Sequence, residues 1–265
     1  MTSSQKLRAL ERTIKEMESV LVAFSGGIDS SLVLKVAHET LGTHALAVTA
    51  VSPTFPAVEL ETARRVSAEI GARHLIIEAD QLNIPEFVRN DAGRCYHCKT
   101  DLYQTLDKLR RSMSLTATVD GTNLDDLDDV RPGITAAREW GVRSPLVDAG
   151  LCKAEVRGLA KEMGLSNWDK PAAACLSSRI PHGVTITRDS LSRVEQAEET
   201  LFEEGFKQVR VREHGDTARI ELEASEIEGL LDRQCRARIT AKLRALGYRF
   251  VTLDLEGYRQ GGGNG

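Results

Sequence analysis

The feature that most constrains this chain is an apolar run that leads without a break into a glycine-rich loop. The run Val20–Phe24 has the continuous hydrophobicity of a strand buried on both faces in a parallel sheet. The loop Ser25-Gly26-Gly27-Ile28-Asp29-Ser30 follows it and opens a stretch with apolar residues at helical spacing. Glycines let the backbone approach a phosphate, and a helix N-terminus offers free N–H groups. The sequence therefore predicts an anion site here.

Strand-like and helix-like patterns alternate along the first part of the chain. The helix that opens at the loop is predicted to close near Gly42. The other predicted elements are the helices 1–18, 59–70 and 99–111 and the strands 20–24, 45–51, 74–77 and 116–119. Because such alternation is typical of βαβ units, we predict an α/β domain with a doubly wound parallel sheet over residues 1–167.

The pattern changes beyond this domain. Residues 168–183 are rich in Pro, Ala and Ser without periodicity, which predicts an ordered connecting loop that carries Cys175. Residues 184–260 predict a smaller α+β domain for substrate binding or oligomerisation. Its predicted elements are the helices 189–204 and 226–246, the strands 208–212, 218–222 and 250–255, and a hairpin turn at His214-Gly215-Asp216. The glycine-rich tail 261–265 is predicted to be disordered.

Composition limits the function classes. The chain has 265 residues with a formal net charge of -4, which argues against a chain-wide basic surface for nucleic acid. No stretch approaches the roughly 20 apolar residues of a membrane span, and the charged N-terminus lacks the apolar run of a signal peptide. We therefore expect a cytoplasmic protein with neither a membrane nor a nucleic-acid partner.

The five cysteines suggest metal or redox chemistry rather than disulfides, since a chain of this length does not need disulfide staples. Cys95 and Cys98 form a Cys-x-x-Cys pair, which serves zinc, iron–sulfur clusters and redox exchange alike. Cys175 is followed by Ser177, Ser178 and Arg179, a polar and positive setting that favours the thiolate. Cys152 and Cys235 are interpreted as ordinary semi-buried thiols.

The loop at residues 25–30 resembles the PP-loop of the N-type ATP pyrophosphatases, and the segment 120–126 (Asp-Gly-Thr-Asn-Leu-Asp-Asp) resembles their second motif. Those enzymes cleave ATP between the α- and β-phosphates and adenylate an oxygen of their substrate. The resemblance implies ATP and Mg²⁺ as cofactors, with Asp29 as the magnesium ligand. The ATP-binding residues that it implies are Ala23, Ser25, Gly26, Gly27, Asp29, Ser30, Asn123 and Asp126. Asp125, Asp128 and Asp129 fit an acidic capping loop better, and Arg131 either contacts ATP or anchors its loop.

Within that superfamily the chain resembles the LarE-type sulfur transferases over nearly its full length. The matching segments are 23–30, 130–133, 174–179, 209–212, 218–222 and 248–255. Those enzymes thiolate a pyridinium mononucleotide for the nickel-pincer cofactor, so the resemblance implies a small mononucleotide substrate and a homo-oligomer. The residues that it implies for the substrate phosphate are Ser178, Arg179, Arg210 and Arg212. Arg210 and Arg212 alternate on a predicted strand and share one face, although a solvated strand face has the same pattern.

The resemblance leaves two routes for sulfur. Some members of the family sacrifice the sulfur of one cysteine, and others resemble cluster-dependent tRNA thiolases with three cysteines. Cys95, Cys98 and Cys175 give this chain the three-cysteine pattern, which favours a 4Fe-4S cluster reloaded by an unidentified sulfur donor. Sacrifice of Cys175 stays open, as do a tRNA thiolase or an amidating synthetase with the same loop. A zinc-stabilised nucleotide-binding module without turnover is the non-enzymatic alternative.

Overall fold

The computed structural model describes residues 2–127, 132–171 and 173–259, and the contacts among its residues divide the chain into two compact units. The first unit holds Met1–Gln81 and Cys95–Ala173, and the second holds Leu82–Arg94 and Ala174–Gly265. The sequence prediction had assigned residues 82–94 to the first domain. The predictions for Asp128, Asp129, Arg131 and the tail 261–265 lie outside the described residues. In the described ranges, no helix combines the length and apolar character that a membrane span requires.

The described helices and strands include the predicted elements, together with four helices between residues 85 and 162 that the predicted set above does not contain. The helices are α1 (Ser3–Lys15), α2 (Ile28–Leu41), α3 (Ala57–Ile70), α4 (Pro85–Val88), α5 (Arg94–Ser112), α6 (Pro132–Glu139), α7 (Pro145–Asp148), α8 (Lys153–Glu162), α9 (Arg188–Glu203) and α10 (Arg233–Ala245). The strands are β1 (Val20–Ala23), β2 (Ala45–Val51), β3 (Arg73–Glu78), β4 (Ala117–Val119), β5 (Val209–His214), β6 (Thr217–Leu222) and β7 (Phe250–Leu253). Helix α5 begins five residues before the predicted start at residue 99, so both cysteines of the Cys-x-x-Cys pair are helical.

The first unit is built on a four-stranded parallel sheet with the order β3-β2-β1-β4. The chain leaves the central strand β1 towards β2 and later returns to the other side of β1 as β4. The loops that follow β1 and β4 therefore lie side by side at the carboxyl edge of the sheet, where ligands bind in folds of this kind. This arrangement confirms the predicted parallel α/β fold.

Alternation along β1 explains why both faces of the sheet are covered. Val20 and Val22 pack in one core cluster with apolar residues of α1, α2, α3 and α8. Leu21 points to the opposite face and packs in a second cluster with residues of α5 and α6. All three side chains are fully buried. The apolar run thus forms a strand buried on both faces, as predicted, although the strand ends at Ala23 rather than at Phe24.

The second unit carries a small mixed sheet with the order β5-β6-β7, in which β5 and β6 form the predicted antiparallel hairpin and β7 runs parallel to β6. The single helix predicted over 226–246 is wrong in its first third. A 3₁₀ segment occupies Ala224–Leu231, and α10 begins afterwards because the Asp232 side chain accepts a hydrogen bond from the Cys235 backbone N–H at 2.7 Å. Such a cap starts a new helix.

The pH dependence of stability is expected to report a contact between α1 and α8. The Lys6 ammonium lies 2.6 and 2.7 Å from the two Glu155 oxygens, and the Cys152 backbone N–H donates to the same carboxylate. Lys6 and this backbone donor lower the Glu155 pKa from 4.5 to about 2. The resulting stabilisation is therefore complete above about pH 4.5 and is lost as the pH falls towards 2.

Glu155→Gln is expected to lower the free energy of unfolding at pH 7, with a difference from the parent that shrinks between pH 4.5 and pH 2. Urea unfolding across this range measures it. Glu39→Gln is the control, because the exposed Glu39 pairs with Lys35 at i,i+4 on one helix, where such pairs contribute only about 0.3 kcal/mol. If Glu155→Gln lowered the free energy of unfolding by the same amount at every pH, the result would contradict the stabilising contact of ionised Glu155 with Lys6.

Candidate active site

The loop after β1 has a backbone that only glycine permits. Ala23 ends β1, and Gly26 adopts φ +73°, where a side chain is strained. A Cβ atom on Gly26 would also lie 2.8 Å from the Ala63 backbone nitrogen. Gly27 is the N-cap of α2, and no side chain among the described residues caps it. The first N–H groups of α2 are therefore left for another acceptor, as an anion site requires.

Two serine hydroxyls close the loop. Ser25 Oγ accepts a hydrogen bond from the Gly27 N–H at 3.3 Å and lies 3.2 Å from Ser30 Oγ. Ser30 Oγ donates to the Gly27 carbonyl at 3.1 Å. Both hydroxyls thus lie beside the free end of α2. The structure brings together the predicted loop residues, whose contact with ATP stays a prediction.

The loop after β4 packs directly on this loop. A Cβ atom on Gly121 would lie 2.6 Å from the Ser30 backbone nitrogen, so only a glycine fits between the two loops. From the same segment, Asn123 Nδ2 donates to Asp29 Oδ1 at 3.1 Å. Asp126 accepts the Asn123 backbone N–H at 3.0 Å and so shapes this segment. The two predicted motifs form one site.

Lys153 is a member of this site that the sequence did not reveal. It is the first residue of α8, and its ammonium forms an ion pair with Asp29 Oδ2. A lysine at a helix N-terminus opposes the helix dipole, so this position is unfavourable for a purely structural residue. The unfavourable position of this lysine was the sequence feature that could have indicated a functional role. Asp125 accepts the Lys153 backbone N–H at 2.9 Å and therefore caps α8, which agrees with its predicted capping role.

Asp120 organises the start of the second motif. Its carboxylate accepts hydrogen bonds from the Thr122 backbone N–H and hydroxyl, from Ser144 Oγ, and from the Tyr103 hydroxyl at 3.2 Å. Burial, as the largest cause, raises the pKa of Tyr103 to about 12, so this phenol remains a donor. Tyr103 belongs to α5, and it connects that helix to the loop after β4.

Cys95 and Cys98 lie on the same helix, one turn apart, and in the same unit as the nucleotide loop. Cys95 is exposed and Cys98 is half-buried. Side chains three residues apart on a helix share a face, so both thiols can bind one metal ion or cluster. Within either unit, the described residues contain no group of three or more His, Cys, Asp or Glu side chains placed to hold a metal ion.

Cys175 belongs to the second unit and is held on a firmly anchored turn. Its exposed thiol lies 2.9 Å from Ser177 Oγ, immediately before the 3₁₀ segment Leu176–Arg179. The buried Arg179 guanidinium donates to the carbonyls of Ala174 and Cys175 at 2.7 and 3.0 Å. Arg179 is itself fixed by two hydrogen bonds of 2.8 Å to Glu198. The thiol is therefore accessible while its backbone is constrained.

The four residues predicted for the substrate phosphate come together in the second unit. Arg212 forms two hydrogen bonds with Glu221 and donates to the Ser178 carbonyl at 2.8 Å, and Arg179 reaches Ser178 Oγ at 3.1 Å. Arg210 shares the strand face of Arg212, is also buried, and lies over the Tyr258 ring at 5.2 Å. Burial, followed by the positive charge of Arg179, lowers the pKa of Arg210. An anion near this cluster would offset both effects.

The chain is similar to a protein family model and to several proteins of other organisms. The asparagine synthase family model matches residues 7–113, which span the nucleotide loop. An uncharacterised protein of Synechocystis sp. is 43% identical over 256 residues, or 97% of this chain and 96% of the relative. The pyridinium-3,5-bisthiocarboxylic acid mononucleotide synthase of Lactiplantibacillus plantarum is 40% identical over 261 residues, or 98% of this chain and 94% of that protein.

An uncharacterised protein of Methanocaldococcus jannaschii is 29% identical over 262 residues, which cover 98% of this chain and 99% of the relative. Similarity at these levels extends through both units rather than through the nucleotide loop alone. The chain belongs to the LarE-type family of ATP-dependent sulfur transferases, which are built on a PP-loop domain.

Proposed function

We propose that this chain transfers sulfur, at the expense of ATP, to a carboxylate of a pyridinium dicarboxylate mononucleotide. The observation that carries the proposal is the nucleotide site, in which Asp29 on one loop meets Asn123 and Lys153 from two other elements at the carboxyl edge of the sheet. The similarity to the Lactiplantibacillus plantarum synthase supports the choice of substrate.

The first step is adenylation. ATP with Mg²⁺ binds at Ser25–Ser30, with Asp29 as a ligand of the magnesium ion. A substrate carboxylate oxygen attacks the α-phosphorus, the bond to the β-phosphate oxygen breaks, and pyrophosphate leaves. The free N–H groups of α2 and the Lys153 ammonium offset the phosphate charge. Catalysis in this step is positioning and charge neutralisation, as in other phosphoryl and nucleotidyl transfers.

The substrate phosphate is assigned to the arginine cluster of the second unit. Arg210 and the Ser178 hydroxyl are the candidate donors to the phosphate. Arg179 and Arg212 hold glutamates and the backbone around Ser178. Arg210 also donates to the Val209 carbonyl at 2.6 Å. A phosphate dianion next to Arg210 would reverse the unfavourable effect of burial and of Arg179 on that guanidinium. The site therefore favours an anionic head group over a neutral one.

For the second step we assign Cys95, Cys98 and Cys175 as ligands of a 4Fe-4S cluster. Three features support the assignment: Cys95 is exposed, the half-buried Cys98 lies one helical turn from it, and Cys175 is exposed on a constrained turn. Within the second unit, Arg94 donates to the Ser177 carbonyl at 3.0 Å and so helps to hold the turn after Cys175. Such a cluster with three protein ligands would supply sulfide from its open iron.

Sacrificial transfer from Cys175 is the alternative that its accessible thiol also supports. In that route the thiolate attacks the adenylated carbonyl carbon and AMP leaves, which gives a thioester. A base then removes the Cys175 α-proton, the Cβ–S bond breaks, and a thiocarboxylate leaves with the sulfur. The protein retains dehydroalanine at position 175 and lacks the mass of H₂S.

Protein purified without oxygen distinguishes the two routes and the non-enzymatic alternative by its colour, its metal content and its mass after turnover. A brown protein with about four irons per chain and repeated turnover supports the cluster. A colourless protein that loses the mass of H₂S from Cys175 after a single turnover supports sacrifice. Equimolar zinc, without pyrophosphate release from ATP and pyridinium dicarboxylate mononucleotide, would contradict both routes.

Cys175→Ser is expected to separate the two half-reactions. The variant should still release pyrophosphate with the mononucleotide, because the nucleotide loop is intact, but it should form no thiocarboxylate. Pyrophosphate release and product mass measure the two steps. Cys152→Ser is the matched control: Cys152 is the N-cap of α8, where serine is a favoured residue, so both steps should continue. Full thiocarboxylate formation by Cys175→Ser would refute the role of this thiol.

Gly121→Ala is expected to disrupt the nucleotide site without unfolding the protein. The added methyl group would overlap the Ser30 backbone, so the two loops must separate and the start of α2 must shift. We expect the KM for ATP to rise at least about tenfold, since small displacements of a catalytic loop have effects of this size. Gly158→Ala is the control, because nothing lies within 4 Å of its added methyl group and alanine favours the helix. An unchanged KM in Gly121→Ala would contradict the site.

A further inference from the structure

A buried asparagine links the nucleotide loop to the segment that continues towards Cys175. Asn167 is only 2% exposed, and its Nδ2 donates to the Gly26 carbonyl and to Ser31 Oγ, both at 2.9 Å. The Ser31 hydroxyl in turn donates to the Gly27 carbonyl at 2.9 Å. One side-chain amide therefore holds two consecutive peptide groups of the loop.

These contacts set the direction of a loop N–H. In a trans peptide the carbonyl and the following N–H point to opposite sides. When Asn167 holds the Gly26 carbonyl, the Gly27 N–H is turned away from Asn167, towards Ser25 Oγ at 3.3 Å. Gly27 is the N-cap of α2, where an anion is expected. Asn167 thus fixes the orientation of the N-cap peptide at the predicted phosphate site without contacting the nucleotide.

The oxygen of the same amide differs from the nitrogen in its hydrogen bonding. Asn167 Oδ1 is buried and has no hydrogen-bond partner among the described residues. An unsatisfied buried acceptor is unfavourable for stability. A flipped amide would place this oxygen against the Gly26 carbonyl, so the observed orientation is the one compatible with the loop. The residue is therefore better explained by its effect on the loop than by a contribution to folding.

The segment after Asn167 is fixed to the same unit. Arg157 donates to the carbonyls of Trp168 and Lys170, both at 3.0 Å. Lys170 forms an ion pair of 2.8 Å with Glu59 on α3, the helix whose Ala63 lies against Gly26. The Lys161 ammonium lies 4.5 Å from the Trp168 ring centroid. A shift of the Gly26 peptide would therefore be transmitted to Trp168 through Asn167, which contacts that peptide and precedes Trp168 in the chain.

We propose that Asn167 is a positioning residue that couples nucleotide binding at the loop to the segment 167–171, which leads along the chain to Cys175. The proposal rests on the proposed function, since it concerns how the adenylation site communicates with the residue that handles sulfur. Asn167 acts through the Gly26 and Gly27 peptides and contacts neither the nucleotide nor the sulfur.

Trp168 provides a direct readout, because the chain contains only one other tryptophan, Trp140. In a Trp140→Phe background, emission from Trp168 is measured during titration with Mg²⁺ and α,β-methylene-ATP, which cannot be cleaved between the α- and β-phosphates. We expect a saturable change in the background protein. Asn167→Ala should bind about tenfold more weakly and should lose the Trp168 change even at saturation.

Two variants keep the test decisive. Asn167→Asp keeps the side-chain shape but replaces the donating group, so it should behave as Asn167→Ala; circular dichroism establishes that both are folded. Ser166→Ala is the matched control, because the neighbouring Ser166 hydroxyl contacts Glu69 and Arg65 on the surface. It should retain both the affinity and the Trp168 change.

Two results would overturn the proposal. One is a Trp168 emission change of full amplitude in Asn167→Ala at saturating nucleotide. The other is unchanged Trp168 emission in a background protein that is shown to bind the nucleotide by equilibrium dialysis. Because neither acceptor nor sulfur is present, these outcomes do not depend on the sulfur route. Absence of nucleotide binding by the background protein in dialysis would instead overturn the proposed function, together with the coupling that rests on it.

Discussion

The close packing of the loops after β1 and β4 is the constraint on which the rest of the first unit depends. Gly121 leaves no room for a side chain against Ser30, and this contact brings Asn123 within hydrogen-bond distance of Asp29. The strand order produces it, because β1 is central and β4 is added on the side opposite β2. The parallel sheet thereby brings two short polar segments, far apart in sequence, together at its carboxyl edge, where we predict the anion site.

In the second unit, the exposed thiol of Cys175 lies on an irregular segment whose backbone must be held in place by side chains. Buried ion pairs hold it: Arg179 with Glu198 behind the Cys175 turn, and Arg212 with Glu221 behind Ser178. Removal of one partner from a pair of this kind costs about 3–5 kcal/mol, since the other charge stays buried. Such pairs fix geometry more than they add net stability, which suits the reactive and phosphate-binding roles that we propose for this turn.

Some of these features were predictable from local sequence and some were not. The apolar run at residues 20–24 and the glycine loop predicted a buried strand that leads into a helix, and both are present. The roles of Arg179 and Arg212 as anchors were not apparent, because their partners Glu198 and Glu221 lie at distances set by the folded second unit. Lys153 was missed for the same reason, although its place at a helix N-terminus was unusual.

The sequence by itself determined the parallel α/β fold, the glycine loop and the cysteine inventory, because periodicity, glycine and reactive side chains act over a few residues. Only the tertiary structure decided that Asp29 meets Lys153, that Asn167 holds the Gly26 carbonyl, and that residues 82–94 pack with the second unit. Hydrogen bonds and ion pairs depend on distances of a few ångströms, and for residues more than a hundred positions apart those distances are set by strand order and helix packing.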